Sequence, residues 1–170
     1  MKIIITFLLL LALCFNGGSG KKRDDIPVHY KIIDECGEYN IENMKLVIYY
    51  MHPDALGRYP LSVERIKELE LNKIEVLPEE LAEYAQLIDE LFNYDFIITV
   101  EPPYIDCRLY YVFETLDGEK ICDIVAVGSL YGHVINGHSV KESLIVYEMV
   151  MPFLEADGVG SWFSFSRYMK

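Results

Sequence analysis

Hydrophobic positions in this chain alternate with period two through its middle and recur at helical spacing on either side of it. Residues 28–33 and 44–51 are β-branched and aromatic, which predicts two strands. The polar stretch 34–43 between them is expected to close a hairpin. Ser62 is placed to cap a short helix ending near Leu69, and residues 72–76 read as a brief strand. Pro78 suits the first turn of a longer helix, with Glu79 and Glu80 near the positive end of its dipole. Leu81, Ala85, Ile88 and Leu91 or Phe92 give that helix an apolar stripe. Residues 95–100 form a buried-type strand that Pro102-Pro103 ends.

Asp117-Gly118, between the apolar runs 107–116 and 119–127, is the strongest short-range hairpin signal in the chain. A two-residue loop pairs Leu116 with Glu119, and therefore Phe113 with Cys122, Tyr111 with Ile124 and Leu109 with Ala126. Those last three pairs make one face wholly apolar. The other face is mixed, with Glu114 against Ile121 and Val112 against Asp123. A one-residue slip would scramble the sorting. The register sends Cys122 to the core and leaves Cys107 out of its reach, so no 107–122 disulfide is expected.

Asn136-Gly137 marks a second turn. As a hairpin it sets Ile135 against His138 and His133 against Val140, with both imidazoles on one face. Ser139 and Glu142 also have the spacing of a capping box. That predicts a helix with Leu144, Tyr147, Met151 and Leu154 on one side, bent or ended by Pro152. Residues 161–166 alternate as a final strand. Together the elements imply an α+β fold: a single domain, mainly antiparallel sheet, with about three helices packed on one face.

A different pattern precedes the domain. Lys2 is followed by an apolar run, residues 3–13, broken only by Thr6, then by Cys14 and a Gly- and Ser-rich, charged stretch. That order is the order of a signal peptide. The run is too short to cross a bilayer, which needs about 20 apolar residues. The expected division is a signal peptide over 1–14, a flexible tether over 15–25 and one α+β domain over 26–170. Leu11-Ala12-Leu13-Cys14 resembles a bacterial lipobox, which implies lipidation of Cys14. Leu13 departs from that pattern, where Gly, Ala or Ser stands, and type I cleavage after Cys14 is the alternative. The expected location is extracytoplasmic, secreted or held in the cell envelope, with a lipid on the N-terminus as the one membrane attachment.

Composition narrows the partners. A hydrophobic fraction of 52% with 13% aromatics specifies a packed globule rather than a disordered chain. A net charge of −12 offers phosphate few compensating cations, so nucleic acid is excluded as a partner. Cys36, Cys107 and Cys122 lie in the domain, an odd number, and no C-x-x-C is present. No disulfide, zinc ribbon or thioredoxin-like site is expected.

Candidate chemistry is sparse, and no catalytic residue is singled out. His133 and His138 are the candidate metal ligands, but a pair lacks the third ligand a site requires. Two solvent-facing turn histidines, with no metal and no cofactor, are the expectation. Cys36 or Cys107 with a histidine, His52 included, could form a thiol nucleophile, and the alternative is a small buried hydrophobe. The carboxylates of residues 64–90 fall on amphipathic helices, where a solvated face accounts for them. Tyr49, Tyr50, Tyr59, Tyr104, Tyr110 and Tyr111 suit either a recognition surface or the filling of a small sheet. Two function classes follow. The first is a non-enzymatic binding protein with a protein partner, immunity- or inhibitor-like, its acidic surface covering a basic one. The second is a small extracytoplasmic hydrolase with a Cys/His or carboxylate site, which a cleft joining a histidine to Cys36 or to carboxylates would favour.

Overall fold

The computed structural model describes residues 27–52, 60–69, 72–100, 106–127 and 132–163. A six-stranded antiparallel sheet organises them, in the order β3-β2-β5-β6-β7-β8. Its strands are β2 (Met44–Tyr50), β3 (Lys73–Val76), β5 (Cys107–Thr115), β6 (Lys120–Val127), β7 (His133–Ile135) and β8 (His138–Val140). A two-stranded ribbon of β1 (His29–Tyr30) and β4 (Phe96–Ile97) lies beyond β8. It is joined there by a bridge between Ile98 and Val140. The helices are short: α1 (Ile32–Cys36), α2 (Val63–Glu68), α3 (Pro78–Leu81), α4 (Ala85–Asn93), α5 (Ile145–Glu148) and α6 (Met151–Ala156). The architecture is therefore α+β in one domain.

The expected strand over 28–33 stops at Tyr30, and the hairpin with β2 does not form. His29 pairs with Ile97 and Tyr30 with Phe96 instead. Ile32 has strand propensity, but as the first residue of α1 it is fully buried against the core, with Asp34 and Glu35 in the favourable first turn. Tertiary burial overrides the β-branched preference. The strand expected over 95–100 shrinks to Phe96–Ile97 and the Ile98 bridge, with Val100 left exposed.

The central hairpin keeps its expected core register: Phe113 faces Cys122, Tyr111 faces Ile124 and Leu109 faces Ala126. The register shifts at both ends, between Cys107 and Leu109 and at the tip. The Gly118 amide donates to the Thr115 carbonyl and the Thr115 amide to the Glu119 carbonyl, which leaves a three-residue loop. Glu114 then faces Lys120, and a bulge before Phe113 and Cys122 restores the register. Gly118 has φ +86 while Asp117 stays out of the left-handed region, so the turn is a type I turn closed by a left-handed glycine, not a type I′ turn. Asn136 (φ 48) and Gly137 (φ 82) do form the primed turn between β7 and β8. Its register sets His133 against Val140 and Ile135 against His138, as the spacing predicts.

Alternation splits the apolar side chains between two faces. Leu46, Ile48, Leu109, Tyr111, Phe113, Cys122 and Ile124 join Leu81, Ile88, Leu91, Phe92, Val146 and Leu154 in the main core. Val47, Cys107, Tyr110, Val112 and Val125 form a second cluster under Ile66 of α2. Helices therefore cover both faces, most of them one face and α2 the other. Ser62 caps α2 as expected, its hydroxyl accepting from the Arg65 amide. Pro78 opens α3, and a 3-10 turn, Ala82–Tyr84, divides it from α4.

The last third departs most from expectation. Ser139 is paired in β8 and caps nothing, and the following helix starts at Ile145. Pro152 does not end that helix but opens the next, in the first turn of α6, where its missing N–H costs nothing. Residues 160–163 form a 3-10 turn rather than the start of a strand, and 164–166 lie outside the described residues. Tyr111 ties the sheet to α5: its buried hydroxyl donates to the Val146 carbonyl at 2.7 Å. A single-turn helix leaves its carbonyls without an intrahelical partner, and the tyrosine supplies one.

Candidate functional site

A cleft of about 580 Å³ opens between α1 and the tip of the β5–β6 hairpin. Glu35, Glu38 and Glu119 line it together with Tyr39, Cys36, Ile121 and Asn136. Lys120 also lines it, but its ammonium is engaged by Asp123 at 2.9 Å, so three carboxylates face the space with one neutralised cation.

A hydrogen-bonded group borders this cleft. Tyr30 donates its hydroxyl to Glu35 Oε2 at 2.7 Å and accepts from Asn136 Nδ2 at 3.2 Å. His138 Nε2 lies 3.5 Å from the same Glu35 oxygen, and its ring packs on Tyr30 with centroids 4.7 Å apart. Burial, then the bond to Glu35, pushes the Tyr30 hydroxyl well above its usual range, which makes it a fixed donor. The fold explains the convergence. β1 delivers Tyr30, α1 delivers Glu35 one turn later, and the primed turn aims Asn136 back across the ribbon. The Asn136 side chain is oriented by the Asp123 amide, which donates to its Oδ1 at 2.9 Å.

The two histidines part company. His138 is exposed on this border, but His133 is fully buried, which corrects the expectation of two solvent-facing imidazoles. His133 Nε2 accepts from the Ser143 amide at 3.0 Å, and its ring stands edge-on to Tyr147. Burial lowers its pKa to about 4. A shared strand face put both on one side, yet the chain after β8 folds over His133 and leaves His138 at the rim. Among the described residues no group of three His, Cys, Asp or Glu side chains is arranged for a metal.

The thiols are equally scattered. Cys36 is half-buried and lines the cleft, Cys122 is in the main core, and Cys107 is in the second cluster. Burial raises all three: Cys36 upward, Cys107 to about 12 and Cys122 well above the ordinary thiol range. A thiol held protonated is a poor nucleophile. His52 is exposed just past the end of β2 and is not among the cleft-lining residues. Glu64, Glu68, Glu79, Glu80, Glu83, Asp89 and Glu90 sit on exposed helical positions. Tyr50, Tyr110 and Tyr111 fill the core, Tyr49 is half-buried, and Tyr59 and Tyr104 lie outside the described residues, as does Cys14.

The sequence pattern did not single out Tyr30, Glu35, Glu38 or Glu119. The one signal for Glu35 and Glu38 was the acidic stretch 34–43, which reads as a connection until β1 is known to pair away from β2. Comparison with known protein families, characterised proteins and solved structures returns no match for this chain.

Proposed function

We propose that this chain is an exported, non-enzymatic binding domain, inhibitor- or immunity-like, that receives a basic segment of a protein partner in the cleft between α1 and the hairpin. The observation that carries this reading is the cleft's composition: Glu35, Glu38 and Glu119 surround Tyr39 and Ile121, and the single lining lysine is already paired. Exposed charge pairs contribute only about 0.2–1 kcal/mol each, so the carboxylates would steer and orient while the apolar floor supplies affinity. The test is calorimetric titration of the full chain with lysine- and arginine-containing peptides. Affinity should fall with added salt, and the combined variant Glu35→Gln, Glu38→Gln, Glu119→Gln should weaken it about tenfold. Failure of every basic peptide to bind would remove the reading.

A second reading rests on one observation, the approach of His138 Nε2 to Glu35 beside Cys36. A carboxylate–imidazole pair at a cleft border is the arrangement a small hydrolase would use to activate water. Under that reading the chain turns over chromogenic esters or peptides, and His138→Ala abolishes turnover while Glu119→Gln preserves it.

A further inference from the structure

The two edges of the six-stranded sheet differ. Outside β8 the backbone is taken: the Thr99 amide donates to Ser139 and the Lys141 amide to Ile97, both at 2.8 Å. Outside β3 no described strand pairs. The Tyr50 amide donates to the Asn72 carbonyl, and Ile48 faces Ile74 and Leu46 faces Val76. Hydrogen-bonded pairs alternate along an antiparallel ladder, so positions 72, 74 and 76 are bonded to β2. The amides and carbonyls of Lys73 and Glu75 therefore point away from it.

Beside this open edge lies a groove of about 470 Å³. Ile74 and the rings of Tyr84 and Phe153, edge to face with centroids 4.9 Å apart, form its apolar part. Glu80, Glu83 and Asp157 stand around it, and no lysine or arginine lines it among the described residues. The nearby ammonium of Lys73 lies 3.2 Å from Glu75, and that of Lys45 lies 3.6 Å from both Glu75 and Glu114.

We propose that β3 and this groove form a docking surface for an extended basic segment of a partner protein, which adds a strand to the sheet. The surface is separate from the α1–hairpin cleft, and the inference stands without it. Strand addition draws affinity from main-chain bonds and specificity from pockets for alternate side chains. Here the outward groups of Lys73 and Glu75 supply the main-chain partners. An aromatic or aliphatic side chain rests on Tyr84 and Phe153, and a lysine or arginine lies among the three carboxylates. Charge selects this occupant over a second copy of the chain, which would bring its own carboxylates against these at −12 per molecule. The four-residue length and charged face of β3 discourage indiscriminate pairing, so a partner must also fill the groove.

The test titrates the full chain with a fluorescein-labelled heptapeptide, Thr-Lys-Val-Phe-Val-Arg-Thr, read by anisotropy. Saturable binding is expected. Peptide N-methylated at alternate amides should bind about tenfold more weakly, since it loses main-chain bonds and keeps its charges. The double variant Glu80→Gln, Glu83→Gln should weaken binding by a similar factor, as should Glu75→Pro, which removes an outward amide together with the carboxylate that pairs with Lys73 and Lys45. The N-methyl arm leaves the protein untouched, so it decides even if the proline variant misfolds. Glu64→Gln, on α2 over the opposite face of the sheet, should change nothing. No saturable binding, equal binding of the N-methylated peptide, or undiminished binding by the Glu80→Gln, Glu83→Gln variant overturns the proposal. So does self-association of the chain that Glu75→Pro abolishes.

Discussion

The Ser143 backbone closes on Nε2 of His133 inside the core, its amide at 3.0 Å and its carbonyl at 3.2 Å. Among the described residues the other ring nitrogen, Nδ1, has no hydrogen-bond partner. Protonating the ring would bury a charge, and that burial outweighs the contact with Ser143.

The folded domain should therefore lose stability in acid. The His133 pKa is lowered to about 4, against about 6.5 in an unfolded chain. Between those values the unfolded state binds the extra proton. The stabilisation is complete above pH 6.5 and is lost as pH falls towards 4, by up to about 3 kcal/mol. Urea midpoints at pH 7 and pH 5 measure it. His133→Gln should be less stable at neutral pH but flatter with pH, and an unchanged slope would assign the effect to other groups.

Gly118→Val should destabilise the domain by about 1–3 kcal/mol. A Cβ on Gly118 meets nothing within 4 Å, so the cost comes entirely from holding a β-branched residue at φ +86. A melting temperature equal to wild type would show that the hairpin tip is built another way.

Chelator should leave the melting curve unchanged. His133 has its Nε2 committed to Ser143, and His138 faces Glu35 and Tyr30, so the pair does not converge on one ion. A structural zinc would be worth on the order of 10 kcal/mol and could not be missed. A large chelator-dependent drop, absent in the double variant His133→Ala, His138→Ala, would contradict this geometry.

In the native protein at pH 8, a disulfide reagent should modify Cys36 first. Cys107 and Cys122 should react only on unfolding, since both are buried and held as thiols. Rapid native reaction of Cys107 would mean that α2 leaves the sheet readily.

At the N-terminus, the proposed export predicts a mature protein that lacks residues 1–14 or begins at an acylated Cys14. Mass spectrometry of the exported protein decides between them, and Cys14→Ala should abolish acylation. An intact Met1 would refute the signal peptide.

Local chemistry made the hairpins legible. Register at β5–β6 followed from sorting Leu109, Tyr111 and Phe113 against Ala126, Ile124 and Cys122, because a one-residue slip breaks that sorting. Ser62 and Pro78 announced their helices for equally local reasons. What could not be read was non-local. Ile32 becomes helical because of what buries it, and Ser139 stays in a strand because Val134 pairs with it. The candidate site depended on those same decisions. His138 meets Glu35 only because β1 joins β4 and turns α1 towards the ribbon, a pairing that no spacing in the sequence marks.

The sheet's strand order also governs when its parts can assemble. β5 to β8 follow one another along the chain, whereas Met44 of β2 must find Thr115 and Tyr50 must find Leu109. Closing that long loop precedes its reward, which makes the β2–β5 union the slow event in folding. During synthesis the apolar β2 has no central partner until the chain has grown past residue 115. β2 then enters between β3 and a ready-made four-stranded meander. Under the export proposed above, a chain with this order would keep its sheet open while its second half is still being made.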